Sequence, residues 1–229
     1  MIRTLPLLAI LLTGACATSS PQGDYFVTPG MPIPADPAAE DARLLTFLDA
    51  AFDTRIEASP ESLTEQGSKS KYDRLDDYTD AEAERQQALM QSQLARMKAD
   101  FDTSKLSPAG RLNYRLFEYN AARSAENYRW RDYGFAMSTN GSPAGDFPVF
   151  LINQHRIDNV ADAEAYIARI KDSERAMREI DAGARRQAEK GIVPPKFNFA
   201  PVRADARRAI SGAPFGAGAD SPLLADFRK

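Results

Sequence analysis

Two of the side chains on which metal and nucleophile chemistry most depends are nearly absent from this sequence. Its 229 residues hold one cysteine, Cys16, and one histidine, His155. A single cysteine excludes an internal disulfide. One imidazole without a cysteine cluster excludes a zinc site of the usual His- or Cys-rich kind built from this chain alone. One histidine also leaves a Ser-His-Asp arrangement without support. No catalytic, cofactor-binding or metal-ligating residue is therefore assigned. A surplus of positive charge is missing too: the net charge is −3, which argues against a general nucleic-acid binder with its basic face. No stretch alternates apolar and polar residues with β-branched enrichment, so strands are not expected. No segment recurs at a fixed period, so a repeat array is not expected either.

What is present is ordinary globular composition, 43% apolar and 27% charged, arranged in three zones. Residues 1–15 carry Arg3 and an apolar run from Leu5 to Leu12. That run falls short of the ~20 residues a membrane-spanning helix needs and has the length of a signal-peptide core. Leu12-Thr13-Gly14-Ala15-Cys16 resembles a bacterial lipobox, in which the cysteine is acylated and becomes the new N-terminus. The one cysteine of the chain falls at that position, so residues 1–15 read as a lipoprotein signal peptide and Cys16 as the lipidation site. Lipid chains hold a protein to a membrane without spanning it. Ala17, where Asp would resemble an inner-membrane retention signal, leans toward the outer membrane. The expected location is the cell envelope, lipid-anchored, facing the periplasm. Residues 16–36, rich in Pro, Ser and Gly, read as a flexible tether.

From residue 37 to 229 one pattern repeats: a cap, a helical stretch, a breaker. Asp36-Pro37 opens a helix with Leu44, Leu45, Leu48, Ala51, Phe52 and Ile56 spaced by threes and fours. Ser59-Pro60 opens a short one that ends near Gly67. Thr79-Asp80-Ala81-Glu82 is a capping box, followed by Met90, Leu94, Met97 and Phe101 on one side. Ser107-Pro108 opens the next, through Leu112, Leu116 and Tyr119 toward Trp130. Residues 133–147 read as a loop or a pair of turns, with weak helix from Val149 to Gln154. Asn159 caps the longest helix, whose stripe runs Ala163, Tyr166, Ile167, Ile170, Met177, Ile180, Ala184 and Ala188, and Gly191 ends it. A helix follows from Pro201 to Ile210, then a flexible bridge, "GAPFGAGAD", into Ser221-Pro222. The fold class is all-α, an antiparallel multi-helix array.

Several of these helices are apolar on more than one side. Tyr114, Phe117, Ala121 and Tyr128 lie on a different face from Leu112, Leu116 and Tyr119. The helices from Ser107 and Asn159 are thus expected to leave an apolar patch bare, with some tendency to associate. The last residues, "SPLLADFRK", open a further helix and stop after about two turns. Together these features suggest a helical domain over 37–229 that is incomplete at its C-terminus.

"ASPESLTEQG" (58–67), "DRLDDYT" (73–79), "LSPAGRLNYRLFEY" (106–119) and "INQHRIDNVADAEAYIARI" (152–170) resemble, in order and separation, the N-terminal half of the bacterial lipoproteins grouped as domain of unknown function 885. The likeness runs from about residue 40 to the end. The resemblance implies a mostly helical protein more than twice this length, a zinc-dependent peptidase or carboxypeptidase. Its later half would carry a His-Glu-x-x-Pro-Gly-His motif, with two His on zinc and the Glu activating the bound water. No such motif occurs here, so zinc is expected in the full-length relative and not in this chain, which is predicted inactive alone. The expected partners are the missing C-terminal half, the membrane through the lipid anchor, and peptides, with no nucleic acid. The competing reading is a non-enzymatic helical lipoprotein that binds a partner or scaffolds the envelope.

Within the chain, His155 admits two readings: a group facing substrate, or a turn histidine bonding backbone near a cap. The loop from Ser138 to Pro148, with Asn140, Gly141 and Asp146, is either a cleft lining or a plain connection. These four residues are the cleft-lining candidates. Asp158 and Asp162 read as first-turn charges favoured by the helix dipole. Asp73, Asp76, Asp77 and Asp80 lack calcium-loop spacing and read as cap and surface residues. Arg203, Arg207 and Arg208 form a solvated face that could meet a carboxylate or lipid phosphate.

Overall fold

Serine-proline pairs start four of the helices. In each, Pro occupies the first turn, where a missing N–H costs nothing, and Ser stands at the cap. Ser59, Ser107 and Ser221 accept the N–H of the residue three further on, at 3.1, 3.1 and 3.4 Å. The computed structural model describes residues 37–229; the leader, Cys16 and the tether lie outside the described residues. The helices are α1 (Pro37–Ile56), α2 (Pro60–Glu65), α3 (Asp80–Asp100), α4 (Pro108–Arg129), α5 (Pro143–Gln154), α6 (Val160–Glu189), α7 (Phe199–Ala209) and α8 (Pro222–Phe227). Among the described residues there is no strand, only isolated bridges at Ser138–Gly141 and Ala213–Asp220. The chain is all-α. No described helix is long and apolar enough to cross a membrane.

Three helices share the first apolar cluster. Leu44 and Ala51 of α1 meet Met97 and Phe101 at the end of α3, and Tyr114 and Phe117 of α4. The α1–α3 contacts run in opposite senses: Arg43 bonds the carbonyl of Asp100, and Gln93 that of Ala51. So do those of α3 and α4, where Lys98 pairs with Glu118 and Gln87 with Ser124. Phe47 of α1 stands edge-on to both Phe101 and Phe117. Burying these rings and Leu44 at ~25 cal/mol per Å² is the main force holding the trio. Asp41 adds direction. Its carboxylate accepts the N–H and the hydroxyl of Ser107, so α1 caps the N-terminus of α4 from outside.

A second, smaller cluster joins Leu75, Phe147 of α5 and Ala176 of α6, with Phe150 and Ile180 against it. α5 runs antiparallel to α6: Phe150 faces Arg169, while Phe147 clusters with Ala176. α7 and α8 pack on α5. The segment from Gln66 to Thr79, here called the strap, carries no helix and connects the two clusters.

The predicted stripe of α3, Met90, Leu94, Met97 and Phe101, faces the first core, as do Leu44, Leu48 and Ala51 of α1. On α4 and α6 the buried rows differ from the predicted stripes in phase. On α4 the buried row is Gly110, Tyr114, Phe117 and Ala121. Leu112, Leu116 and Tyr119 are 49, 48 and 57% exposed. They lie two residues along, about 200° around the helix at 100° per residue, on the side away from α1 and α3. On α6 the buried row is Asp162, Tyr166, Arg169 and Ala176; of the predicted stripe Tyr166 is inside, while Ile167, Ile170 and Met177 are 41, 38 and 37% exposed. On α1, Leu45 and Phe52 are exposed and Phe47 packs instead. Ser142-Pro143 starts helix α5, so half of the predicted 138–148 loop is helical. The capping box is half made. Thr79 accepts from the N–H of Glu82, but Glu82 turns to Gln86 and Arg85, and the Thr79 N–H goes to Asp77. The 212–220 bridge is a hydrogen-bonded loop, closed by Ala213 N to Ala219 O (2.9 Å) and Ser221 N to Ala213 O (2.8 Å).

Candidate functional site

The polar centre of the molecule is an arginine with no exposed surface. Arg169 belongs to the inward row of α6 and is 0% exposed. Its Nε donates to the carbonyl of Arg74 (3.0 Å). One terminal nitrogen donates to Thr64 Oγ1 (2.6 Å) and the carbonyl of Pro60 (3.2 Å), and the other meets Nδ1 of His155 (3.1 Å). The guanidinium lies over Tyr72 at 4.8 Å and Phe150 at 5.2 Å. These acceptors come from α2, the strap and the end of α5. A buried cation is tolerated only when hydrogen-bonded throughout, so Arg169 fixes where those three segments stand on α6. Burial pushes its pKa below the ordinary arginine value.

His155 sits at the C-cap of α5 and is 4% exposed. Its ring stacks on Tyr72 (3.9 Å between centroids) and meets the edge of Tyr166. Arginine can only donate, so Nδ1 must accept. The proton therefore resides on Nε2, which donates to the carbonyl of Asp162 at 3.0 Å. Both ring nitrogens of the neutral imidazole are occupied. Burial, first, and the nearby Arg169 charge hold its pKa below the ordinary value, against the opposing bond to Asp162. Beside it, Lys69 reaches Asp158 (2.7 Å) and Asp162 (2.6 Å), and Asp162 also accepts the N–H of Asp158. Lys69 holds both carboxyls below the usual aspartate range.

A second clasp fixes the far end of the strap. Arg175 of α6 pairs with Asp172 and Glu179 and donates to the carbonyls of Leu75 and Asp76. Those same carboxylates accept the N–H groups of Leu75 (2.8 Å) and Tyr78 (3.0 Å). Between strap and α6 lies an open cleft of about 640 Å³, lined by Lys71, Asp73, Arg74, Leu75, Glu82 and Arg175 among others. Its walls carry both signs of charge, so it suits a polar ligand bearing both. Near it, Tyr78 donates to Glu61 at 2.8 Å, and burial raises the pKa of each.

The structure does not gather the predicted cleft candidates. His155 is inside, under Tyr72, and bonds backbone beside a cap as one of its two readings holds. Asn140, Gly141 and Asp146 sit at the other end of α5, a helix of 12 residues, about 18 Å long at 1.5 Å per residue. A Cβ at Gly141 would stand 3.1 Å from Asp146 Oδ1, so these two do adjoin. Neither the 640 Å³ cleft nor its neighbour contains any of the four. Asp73 pairs with Arg74, Asp76 accepts from Ser59 and the Glu61 N–H, Asp77 accepts from Thr79, and Asp80 pairs with Arg186, all cap or surface roles. Arg203, Arg207 and Arg208 are exposed, and Arg208 pairs with Asp205. Arg169, Tyr72 and Lys69 were not foreseen. The signal available was an arginine three residues after Tyr166, in step with the inward row.

Zinc does not fit these residues. Both nitrogens of the one imidazole are taken, and Asp162 is committed to Lys69 and a backbone N–H. Among the described residues no three His, Cys, Asp or Glu side chains converge as metal ligands would. Among known proteins, the model of a family described as "Bacterial protein of unknown function (DUF885)" matches residues 60–229. No curated protein and no solved structure matches.

Proposed function

We propose, for a chain that belongs to the bacterial family of unknown function DUF885, that it is the helical, lipid-anchored wall of an envelope protein and supplies no catalytic group itself. The observation that carries this reading is the bare row of α4. Leu112, Leu116 and Tyr119 stand about half exposed, opposite a well-filled buried row. A helix apolar on both sides is made to be covered on both sides. With Ile167, Ile170 and Met177 of α6, these residues form the faces on which further helices of a longer, peptidase-like protein would dock. The mixed-charge cleft beside the strap would then face peptide substrate, whose ends and side chains carry both signs. The lipobox-like leader supports attachment at Cys16 and an envelope location.

Expression with the leader intact tests the anchor. The wild-type chain should partition with membranes, and its N-terminal peptide should carry acyl mass on Cys16; Cys16→Ser should be released. A peptide-hydrolysis assay with added zinc tests the division of labour. Turnover by this chain, or a wild-type protein that stays soluble after leader removal, would overturn the reading.

A further inference from the structure

We infer that His155 is an acid-released latch on the strap, and through the strap on the cleft it walls. The geometry is a conflict of donors in waiting. Neutral His155 offers the lone pair of Nδ1 to an N–H of Arg169 at 3.1 Å. Protonated His155 carries an N–H on both nitrogens, so Nδ1–H would face the Arg169 N–H with no acceptor between them. Two positive charges would then share a site where His155 is 4% and Arg169 0% exposed.

The groups around the ring cannot absorb that charge. From α6, Arg169 repels it, and the carboxylate of Asp162 is held by Lys69 and the Asp158 N–H, with only its carbonyl on the ring. From the strap, Lys69 adds a third positive charge, and Tyr72 offers its ring face. From α2, Thr64 already accepts from Arg169, and Glu61 is engaged by Tyr78 and the Asp76 N–H. Glu61 is a carboxyl raised by burial, so acid relieves it instead of stressing it. From the 156–159 turn, Arg156 and Asp158 pair at the surface, and Asp226 of α8 faces Tyr166. The cheapest response is for the ring to leave. The Tyr72 stack then goes, with the Arg156 N–H to Tyr72 hydroxyl bond (2.7 Å) and the seat of Lys69.

The second clasp does not share this sensitivity. Arg175 holds the Asp172 carboxyl below the usual range, so that pair outlasts His155 as pH falls. The strap should therefore swing about residues 75–78 and widen the cleft from its Lys71–Arg74 side, without detaching.

The chain has one histidine, so its imidazole ¹⁵N signals need no assignment. At pH 7.5 the pattern should be that of the Nε2–H tautomer. The midpoint should lie below the ordinary ~6.5. Amide exchange, corrected for the intrinsic pH effect, supplies the mechanical readout. Protection at Ser68, Ser70, Arg74 and Arg156 should fall about tenfold per pH unit between 6.5 and that midpoint, the linkage slope of one proton. Leu75 and Tyr78 should keep theirs. His155→Gln should flatten the pH dependence; the wild-type data decide the matter if that variant does not fold. An Nδ1–H tautomer, a midpoint at or above 6.5, or strap protection that ignores the titration would each overturn the inference. Loss of protection at all these amides together would also overturn it, since that is global unfolding.

Discussion

Replacing Gly110 by alanine should destabilise this protein, although alanine is the better helix former. Gly110 occupies the first turn of α4, and Asp41 of α1 lies against it. A Cβ added there would fall on the Asp41 carboxylate, overlapping Oδ1 and standing 2.8 Å from Cγ. The carboxylate must move, and it gives up both bonds to Ser107. Hydrogen bonds to ionised groups contribute ~1.5–3 kcal/mol each. Asp41 is half-buried, so the displaced carboxylate regains water and the lower figure applies. The pair is then worth about 3 kcal/mol, against a propensity gain of up to ~1 kcal/mol for Gly→Ala. The net loss should be about 2 kcal/mol. In an Asp41→Ala background the clash is gone, and Gly110→Ala should stabilise by up to ~1 kcal/mol. The sign inverts, and the coupling across the double-mutant cycle should be about 3 kcal/mol. Urea unfolding of the four proteins measures it. A Gly110→Ala variant that is more stable than wild type, or the same effect in both backgrounds, would refute the docking of α1 through Asp41.

Three further outcomes follow from burial and exposure. Arg169→Met should cost about 3–5 kcal/mol, because it removes four hydrogen bonds and leaves the buried His155 Nδ1 without a donor; a loss under ~1 kcal/mol in chemical denaturation would show that the hub holds little. Ser142 is 2% exposed, and its Oγ has no partner, so Ser142→Ala should leave the melting midpoint unchanged or raise it. The comparison is Ser59→Ala, which removes a working cap and should cost ~1 kcal/mol. Leu112→Lys with Leu116→Lys should change stability by no more than ~0.5 kcal/mol and suppress self-association in sedimentation; a loss above ~2 kcal/mol would show the α4 row to be covered.

Local chemistry made the helix starts legible. Ser59-Pro60, Ser107-Pro108 and Asn159 announce themselves within four residues, and the structure caps helices at each. Phase was harder. Both sides of α4 are apolar, so spacing alone could show two faces and not which one turns inward. The answer depends on Asp41 and Phe47 of another helix. On α6 the apolar count pointed one residue round from the true inward row, because that row contains Asp162 and Arg169. A pattern reader scores those two as solvent-facing. Their burial is decided by hydrogen-bond partners 93 to 109 residues away in the chain, which no local window contains. His155 was readable as a turn histidine beside a cap, but its governing partner, Arg169, was not. The family match begins at residue 60, later than the resemblance from about residue 40 suggests. α1 lies before it, yet supplies Leu44 and Ala51 to the first core.

The described helices put a guanidinium inside and leave leucines outside, which inverts the usual economy of a small domain. The inversion has a mechanical sense. A core held by Arg169 and Arg175 depends on direction, since each N–H must meet its own acceptor, and so it fixes the strap and α2 on α6 in one arrangement. An apolar row has no such direction. Leu112, Leu116 and Tyr119 would accept any helix that covers them, at roughly 1.5–3 kcal/mol for each large side chain fully buried. Directional bonds therefore set the shape of these helices, and undirected burial would hold any helix that covered the bare row. If that division is right, substitutions at the polar centre will alter the structure of the chain alone. Substitutions on the bare row of α4 will leave that structure intact and be felt only in association.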